Sequence, residues 1–220
     1  VKVLTNTDSP SAWAALEELA LSRAKDGERG GRPHLALDIG ANVGQAAELL
    51  APYFQRVLAY EPQPESYRHL CERPEANIEP MNWAVSRRPG TIMLAEASEA
   101  IESGQLVTWG ASAGHPEWGH LVGTVKVAAT TVDVQVGSLG VLPSLVKIDT
   151  EGHELEVLAG AKSVIALGFS SWFIEVHDAS YGPRLRAYFG PRRYKTHVIE
   201  HDYLADERSE DHYYFVAEPK

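Results

Sequence analysis

Apolar residues near the start of the chain recur at helical spacing, at Trp13, Leu16, Leu19 and Ala20. Ser9-Pro10 ahead of them supplies an N-cap residue and a proline at the first helical position, so an amphipathic helix is predicted from there to about Asp26-Gly27. After the loop-like Gly30-Gly31-Arg32-Pro33 stretch, Leu35-Ala36-Leu37-Asp38-Ile39 is a short apolar run bounded by glycine, the pattern of a strand buried on both faces. Helical and strand patterns then alternate: a helix over 45–53, a strand over 56–60, a helix over 64–72 and a strand over 78–84. Further on come a strand over 144–149, a helix over 154–166 with Leu155, Leu158, Ala161 and Ile165 on one side, and a strand over 171–176. Such alternation predicts βαβ units and a parallel sheet. The tail reads as a helix near 185–189 and two strands, 194–199 and 213–217, expected to form an antiparallel pair at one sheet edge. Between 97 and 124 the period is lost. This segment, with Trp109, His115, Trp118 and His120, is predicted to be an irregular insertion serving as a substrate loop.

A length of 220 residues suits one α/β domain, 1–220, with residues 1–30 as its N-terminal helical segment. With 30 acidic and 20 basic residues the formal charge is −10, the wrong sign for a protein that gains affinity by neutralising phosphates. Nucleic acid is therefore not the expected partner, and Arg87-Arg88 and Arg192-Arg193 with Lys195 read as solvated faces. Cys71 is the only cysteine, which rules out an intrachain disulfide and fits a reducing, cytoplasmic setting. No apolar run approaches the roughly 18 residues of a membrane span, and residues 1–25 carry no signal-peptide pattern. A start at Val1 in place of Met is what a trimmed chain would show. Nothing in the sequence sets the oligomeric state.

Four constellations carry chemistry. The first, Asp38-Ile39-Gly40-Ala41-Asn42-Val43-Gly44, turns from a strand through glycines into a helix. Glycine at 40 and 44 is expected to let the backbone approach a ligand closely, although the spacing matches neither a dinucleotide fingerprint nor a P-loop. The second is Glu61, at the end of the next strand, placed to accept hydrogen bonds from two ribose hydroxyls. The third, 147–154, ends a strand in acids, and Asp149 and Glu151 are expected to point into the same crevice as Asp38 and Glu61, while Glu154 reads as a first-turn partner of a helix dipole. The fourth is Phe173-Ile174-Glu175-Val176-His177, where Glu175 and His177 share one face of a strand. His177 is a better general-base candidate than His69 or His34.

Taken together, D-I-G-A-N-V-G at 38–44, Y-E-P at 60–62, N-W-A-V-S at 82–86 ahead of Pro89-Gly90, T-T-V-D at 130–133, K-I-D-T-E-G-H-E at 147–154 followed by L-E-V-L-A-G-A, and I-E-V-H at 174–177 resemble the FkbM-type methyltransferases. The resemblance runs from about Leu35 to His177 and more weakly to Phe215. It implies a Rossmann-like class I methyltransferase fold, a mostly parallel seven-stranded sheet with helices on both faces and an antiparallel edge strand. It also implies S-adenosylmethionine as methyl donor and O-methylation of a hydroxyl on a small molecule, a sugar or natural product. By motif position Asp38, Gly40, Asn42 and Gly44 would surround the methionine part of the cofactor, Glu61 the ribose, Trp83 and Ala84 the adenine, and Asp149 the amino group or the methyl. The expected base is His177, oriented by Glu175 or Asp149. Asp149, Glu175 and His177 also offer oxygen and nitrogen ligands to a divalent metal, a role the sequence leaves open without favouring it. Two rival readings remain open at this point: an NAD-dependent oxidoreductase built on the same loop, and a non-catalytic cofactor-binding module.

Overall fold

The computed structural model describes residues 9–30, 35–73, 75–97, 121–200 and 212–220. Helix α1 (Pro10–Gly30) leads into strand β1 (Leu35–Ile39), and α2 (Gln45–Leu50) with one 3-10 turn at Ala51–Tyr53 connects β1 to β2 (Arg56–Tyr60). Then come α3 (Pro64–Leu70), β3 (Ile78–Met81), β4 (Ala84–Val85), β5 (Gly90–Ala97), β6 (Leu121–Thr130) and α4 (Val132–Leu139). The rest is β7 (Leu145–Ile148), α5 (Glu154–Ala159), α6 (Lys162–Leu167), β8 (Ser171–Val176), α7 (Gly182–Tyr188), β9 (Tyr194–Glu200) and β10 (Tyr213–Pro219). The main sheet has seven strands in the order β3-β2-β1-β7-β8-β10-β9, and only β10 runs antiparallel to its neighbours. β10 and β9 form the antiparallel pair expected at one sheet edge, with β9 outermost.

Alternation along the strands divides the core between the two faces of the sheet. Leu37, Ile39, Leu58, Tyr60, Val146, Ile148, Trp172 and Ile174 point to the side covered by α4 to α7, where Val132, Leu155, Leu158 and Val164 meet them. Ala36, Val57, Ala59, Leu145, Phe173 and Val216 point the other way, onto Leu16, Leu19 and Ala20 of α1 and Ala46, Ala47 and Leu50 of α2. The small residues facing α1 and α2 let those helices lie close to the sheet. Because the chain winds outward from β1 through β2 to β3 and returns with β7 on β1's other side, the carboxyl ends of β1 and β7 diverge. A crevice opens at such a switch point.

Several elements depart from expectation for local reasons. The strand expected over 78–84 breaks after Met81. Asn82 Nδ2 donates to the Glu61 carbonyl at 2.9 Å, the Trp83 N–H folds back to the Met81 carbonyl, and β4 joins a second sheet of order β4-β6-β5. The helix expected over 154–166 is two helices that break at Gly160-Ala161, where the absence of a side chain lets the backbone pass close to the Ser86 carbonyl oxygen. The new helix, α6, is capped from a distance: Asp133 accepts from Ser163 N and Val164 N, both at 3.0 Å. That is what the aspartate of T-T-V-D does here, while Thr131 of the same motif caps α4 through Val134 N. The supposed insertion at 97–124 begins and ends inside an antiparallel pair, since β5 and β6 are registered from Gly90 with Ala129 to Ala97 with Leu121. Residues 98–120, with Trp109, His115, Trp118 and His120, lie outside the described residues, as does His34. No described helix is long and apolar enough to cross a membrane.

Candidate active site

The crevice at the switch point is a cleft of about 650 Å³, counting its part open to solvent. Its walls come from Ile39, Gly40 and Asn42 after β1, Glu61 and Pro62 after β2, Trp83 to Val85, Ile92 and Leu94 of β5, and Asp149 to Glu151 with His153 after β7. Glu61, Asp149, Gly40, Asn42, Trp83 and Ala84 are therefore brought together as the sequence predicted. Asp38, Gly44, Glu175 and His177 do not line the cleft among the described residues.

At the first corner the backbone builds the site. Gly40 and Asn42 take left-handed conformations, φ 77° and 50°, the latter among the few side chains that tolerate it. The turn aims Asn42 N at Glu61 Oε2 (2.8 Å), and Gln63 N meets Oε1 (2.7 Å). Burial pushes the Glu61 carboxyl up to about 7, even though these two N–H groups and Lys147 act to lower it. Both glycines are also required by packing. A side chain on Gly40 would collide with the Asp149 carbonyl oxygen at 1.6 Å, and one on Gly44 with Leu70 Cδ1 at 2.6 Å. Asp38 is wholly buried beneath the cleft floor, where Lys147 Nζ lies 3.1 Å from its Oδ1. Burial raises the Asp38 pKa and the Lys147 charge opposes the rise.

Lys147 is the residue whose role sequence reading missed. Its Nζ also donates to the Gly40 carbonyl (3.1 Å) and to Asp149 Oδ2 (3.3 Å), tying the β1 loop to the end of β7. The signal was present: a lysine inside the four-residue apolar strand Leu145–Ile148 needs buried partners.

At the second corner side chains from three segments converge. His177, after β8, is 5% exposed. Its Nδ1 is 3.0 Å from Glu154 Oε1, and its Nε2 faces Glu151 Oε2 at 3.4 Å, Asp149 Oδ1 at 3.7 Å and Glu175 Oε1 at 3.8 Å. Burial acts to lower the His177 pKa, but the surrounding carboxylates, Glu151 foremost, outweigh it and hold the pKa well above its ordinary value. Glu154 opens the first turn of α5 as expected, but it is buried and has a further task. Wholly buried, it folds back to accept from Gly152 N at 2.9 Å and orients His177, the task expected of Glu175 or Asp149. The donor atoms that converge are those of Asp149, Glu151 and His177, all within 4.8 Å of one another, so Glu151 takes the place expected for Glu175 in a metal-ligating set. His153, on the cleft wall, pairs with Ser86 Oγ at 2.9 Å, and burial lowers its pKa. His69 lies between Glu65 and Glu72 on α3, away from the cleft.

Comparison with known proteins identifies the family. Residues 38–204 match the model of the methyltransferase FkbM domain. A hexuronic acid methyltransferase, AglP, of Haloferax volcanii is 27% identical over 143 residues, 64% of this chain and 54% of the relative, so the chain spans about half the relative's length. Among solved structures, the methyltransferase FkbM from Methylobacillus flagellatus superposes with a TM-score of 0.56 at 15% identity, covering 93% of this chain and 58% of that one. An rRNA methylase from Streptococcus thermophilus gives 0.52 at 10% identity over 92% and 93% of the two chains. At those identities the two structures speak for the fold, which is that of class I methyltransferases. The match over 38–204 covers most of the sequence, and with it the chain belongs to the FkbM methyltransferase family.

Proposed function

We propose that the chain is an S-adenosylmethionine-dependent O-methyltransferase whose acceptor is a sugar, with a hexuronic acid as the first substrate to try. The observation that carries the cofactor assignment is Glu61. A carboxylate held by two backbone N–H groups at the lip of the cleft keeps lone pairs for a ribose diol, and as an anion it repels a phosphorylated ribose. The acidic floor around Asp149 and Glu151 suits a cationic sulfonium and an α-amino group, and disfavours the pyrophosphate of NAD. The family membership and the likeness to AglP support the donor and the sugar class.

S-adenosylmethionine supplies a methyl group that passes to the acceptor oxygen as its bond to sulfur breaks, the electron pair remaining on sulfur. The residues of the chain hold and align. Glu61 holds the ribose, Trp83 and Ala84 the wall beside the base, and the Gly40–Asn42 turn the methionine part, with Asp38 acting from below through Lys147. Asp149 lines the cleft and takes the acceptor proton. His177 and Glu175 stand behind it as positioning residues. Alignment of the acceptor oxygen roughly 3 Å from the methyl carbon supplies most of the rate.

Calorimetry with S-adenosylmethionine and with NAD tests the donor, and binding of NAD alone would overturn the reading. Incubation with hexuronic acids and neutral hexoses, read as S-adenosylhomocysteine formed, tests the acceptor. Mild alkali then separates a methyl ether, which survives, from a methyl ester, which does not. Cofactor binding with no turnover on any sugar would leave a binding module in place of an enzyme.

A further inference from the structure

We propose that Asp149, Glu151 and His177 form a site for one divalent cation of the hard-to-borderline class, Mn²⁺ or Mg²⁺, that seats the acceptor oxygen. The proposal rests on the reading of the cleft as a methyl-transfer site. Two carboxylates and an imidazole nitrogen, each offering a donor atom within 4.8 Å of the others, are a donor set for cations that accept both oxygen and nitrogen. A metal takes His177 as the neutral imidazole, so a cation binding there displaces the proton that the surrounding carboxylates favour. A wholly buried carboxylate, Glu154, engages Nδ1 at 3.0 Å, which leaves Nε2 turned toward Asp149 and Glu151. A second carboxylate of this kind fixes the tautomer of a metal-binding histidine and raises its basicity.

Charge supplies an independent reason. Four carboxylates, Asp149, Glu151, Glu154 and Glu175, lie within 4 Å of one imidazole, and Lys147 divides its charge between Asp149 and Asp38. Glu154 is wholly buried, and its Oε2 has no hydrogen-bond partner. A divalent cation placed among the four carboxylates adds countercharge to this cluster. The cleft points the same way, since its described lining includes Glu61, Asp149 and Glu151 but no lysine or arginine. A uronic acid is an anion, and a cation between it and this floor turns repulsion into a bridge. Asp149 and Glu151 are partly open to the cleft, so a cation on them faces the acceptor. There it lowers the pKa of a coordinated hydroxyl, and an uncoordinated carboxylate oxygen of Asp149 can take the proton.

The test uses the full chain, stripped with EDTA and titrated with MnCl₂, with free Mn²⁺ read by electron paramagnetic resonance. One Mn²⁺ per chain is expected, with nitrogen modulation in the pulsed spectrum. His177→Gln should abolish the nitrogen signal and Glu151→Gln should remove tight binding, while Glu154→Gln weakens it by ~10–100-fold. Glu61→Gln, on the same cleft, should bind Mn²⁺ as the parent does. Thermal unfolding checks that each variant is folded; Glu151 is partly exposed and the substitution most easily accommodated. The site is wrong if the folded parent leaves Mn²⁺ free at millimolar concentration. It is equally wrong if nitrogen modulation persists in His177→Gln, or if Glu61→Gln loses binding as Glu151→Gln does. Calorimetry with S-adenosylmethionine on the same stripped protein separates the two readings. Mn²⁺ without cofactor binding sinks the methyl-transfer reading and keeps the site, and cofactor without Mn²⁺ does the reverse.

Discussion

The two corners of the cleft are both acidic, yet they are built differently. At the Glu61 corner one carboxylate is held by backbone N–H groups from Asn42 and Gln63. At the His177 corner an imidazole is held by side chains from the β7–α5 turn, the start of α5 and the end of β8. Backbone donors are set by the turn and survive changes in neighbouring side chains. A corner assembled from side chains depends on each of its charges. On the function proposed above, the first arrangement would suit a cofactor that is always the same, and the second would leave scope for change at the acceptor end.

Lys147 joins the corners, and its loss should produce the largest effect. Lys147→Met leaves Asp38 buried without its countercharge, so stability should fall by ~3–5 kcal/mol, the usual cost of removing one partner of a buried pair. Urea unfolding measures it, and a second substitution, Asp38→Asn, should restore much of the loss. If the double variant is no more stable than the single one, the pair does not hold the corners together.

Asp149→Asn comes next, because it removes the carboxylate proposed to take the acceptor proton. Turnover should fall by at least ~10²-fold with cofactor affinity changed far less. Equal loss of both, seen by comparing calorimetry with single-turnover rates, would make Asp149 a cofactor ligand and move the proton elsewhere.

The corners also differ in how far the sequence disclosed them. The Glu61 corner follows from a strand end, a glycine-bearing turn and an acid at the end of the next strand, all local patterns, and strands β1 and β2 fall where the apolar runs placed them. The His177 corner needs contacts between residues more than 20 positions apart, such as Glu154 with His177. Helix periodicity says that Glu154 opens a helix but not that its carboxylate turns inward. In the same way β5 and β6 escaped notice because they enclose a long aperiodic stretch, and α4 because valines suit strands as readily as helices. The break at Gly160 has a weak local signal, the glycine itself, while the close pass of Ser86 that requires it lies far away in sequence.

A smaller effect belongs to the first corner alone. Glu61→Gln keeps the shape of the side chain and removes its charge, and S-adenosylmethionine binding should weaken by ~1.5–3 kcal/mol, the range for hydrogen bonds to a charged group. Calorimetry reads it directly, and unchanged affinity in a folded variant would remove Glu61 from the ribose site.

The smallest effect is a pH dependence, and it follows from the same carboxyl. In the folded chain burial lifts Glu61 from 4.5 to about 7. A raised folded pKa means that the folded protein keeps a proton which the unfolded chain has already lost. The stability contributed by Glu61 is therefore complete below pH 4.5 and declines as pH rises to about 7. Binding a ribose diol has the opposite preference, because both hydroxyls donate and the ionised carboxylate is the better acceptor. Deprotonation through pH 7 should thus strengthen cofactor binding by up to ~10-fold between pH 6 and pH 8, levelling above that range. Glu61→Gln should flatten the curve, which separates this carboxyl from Asp38 beneath the floor and from the carboxylates of the other corner. If affinity in the parent is level from pH 6 to pH 8, Glu61 is ionised before the cofactor arrives, and the two N–H groups that hold it outweigh its burial.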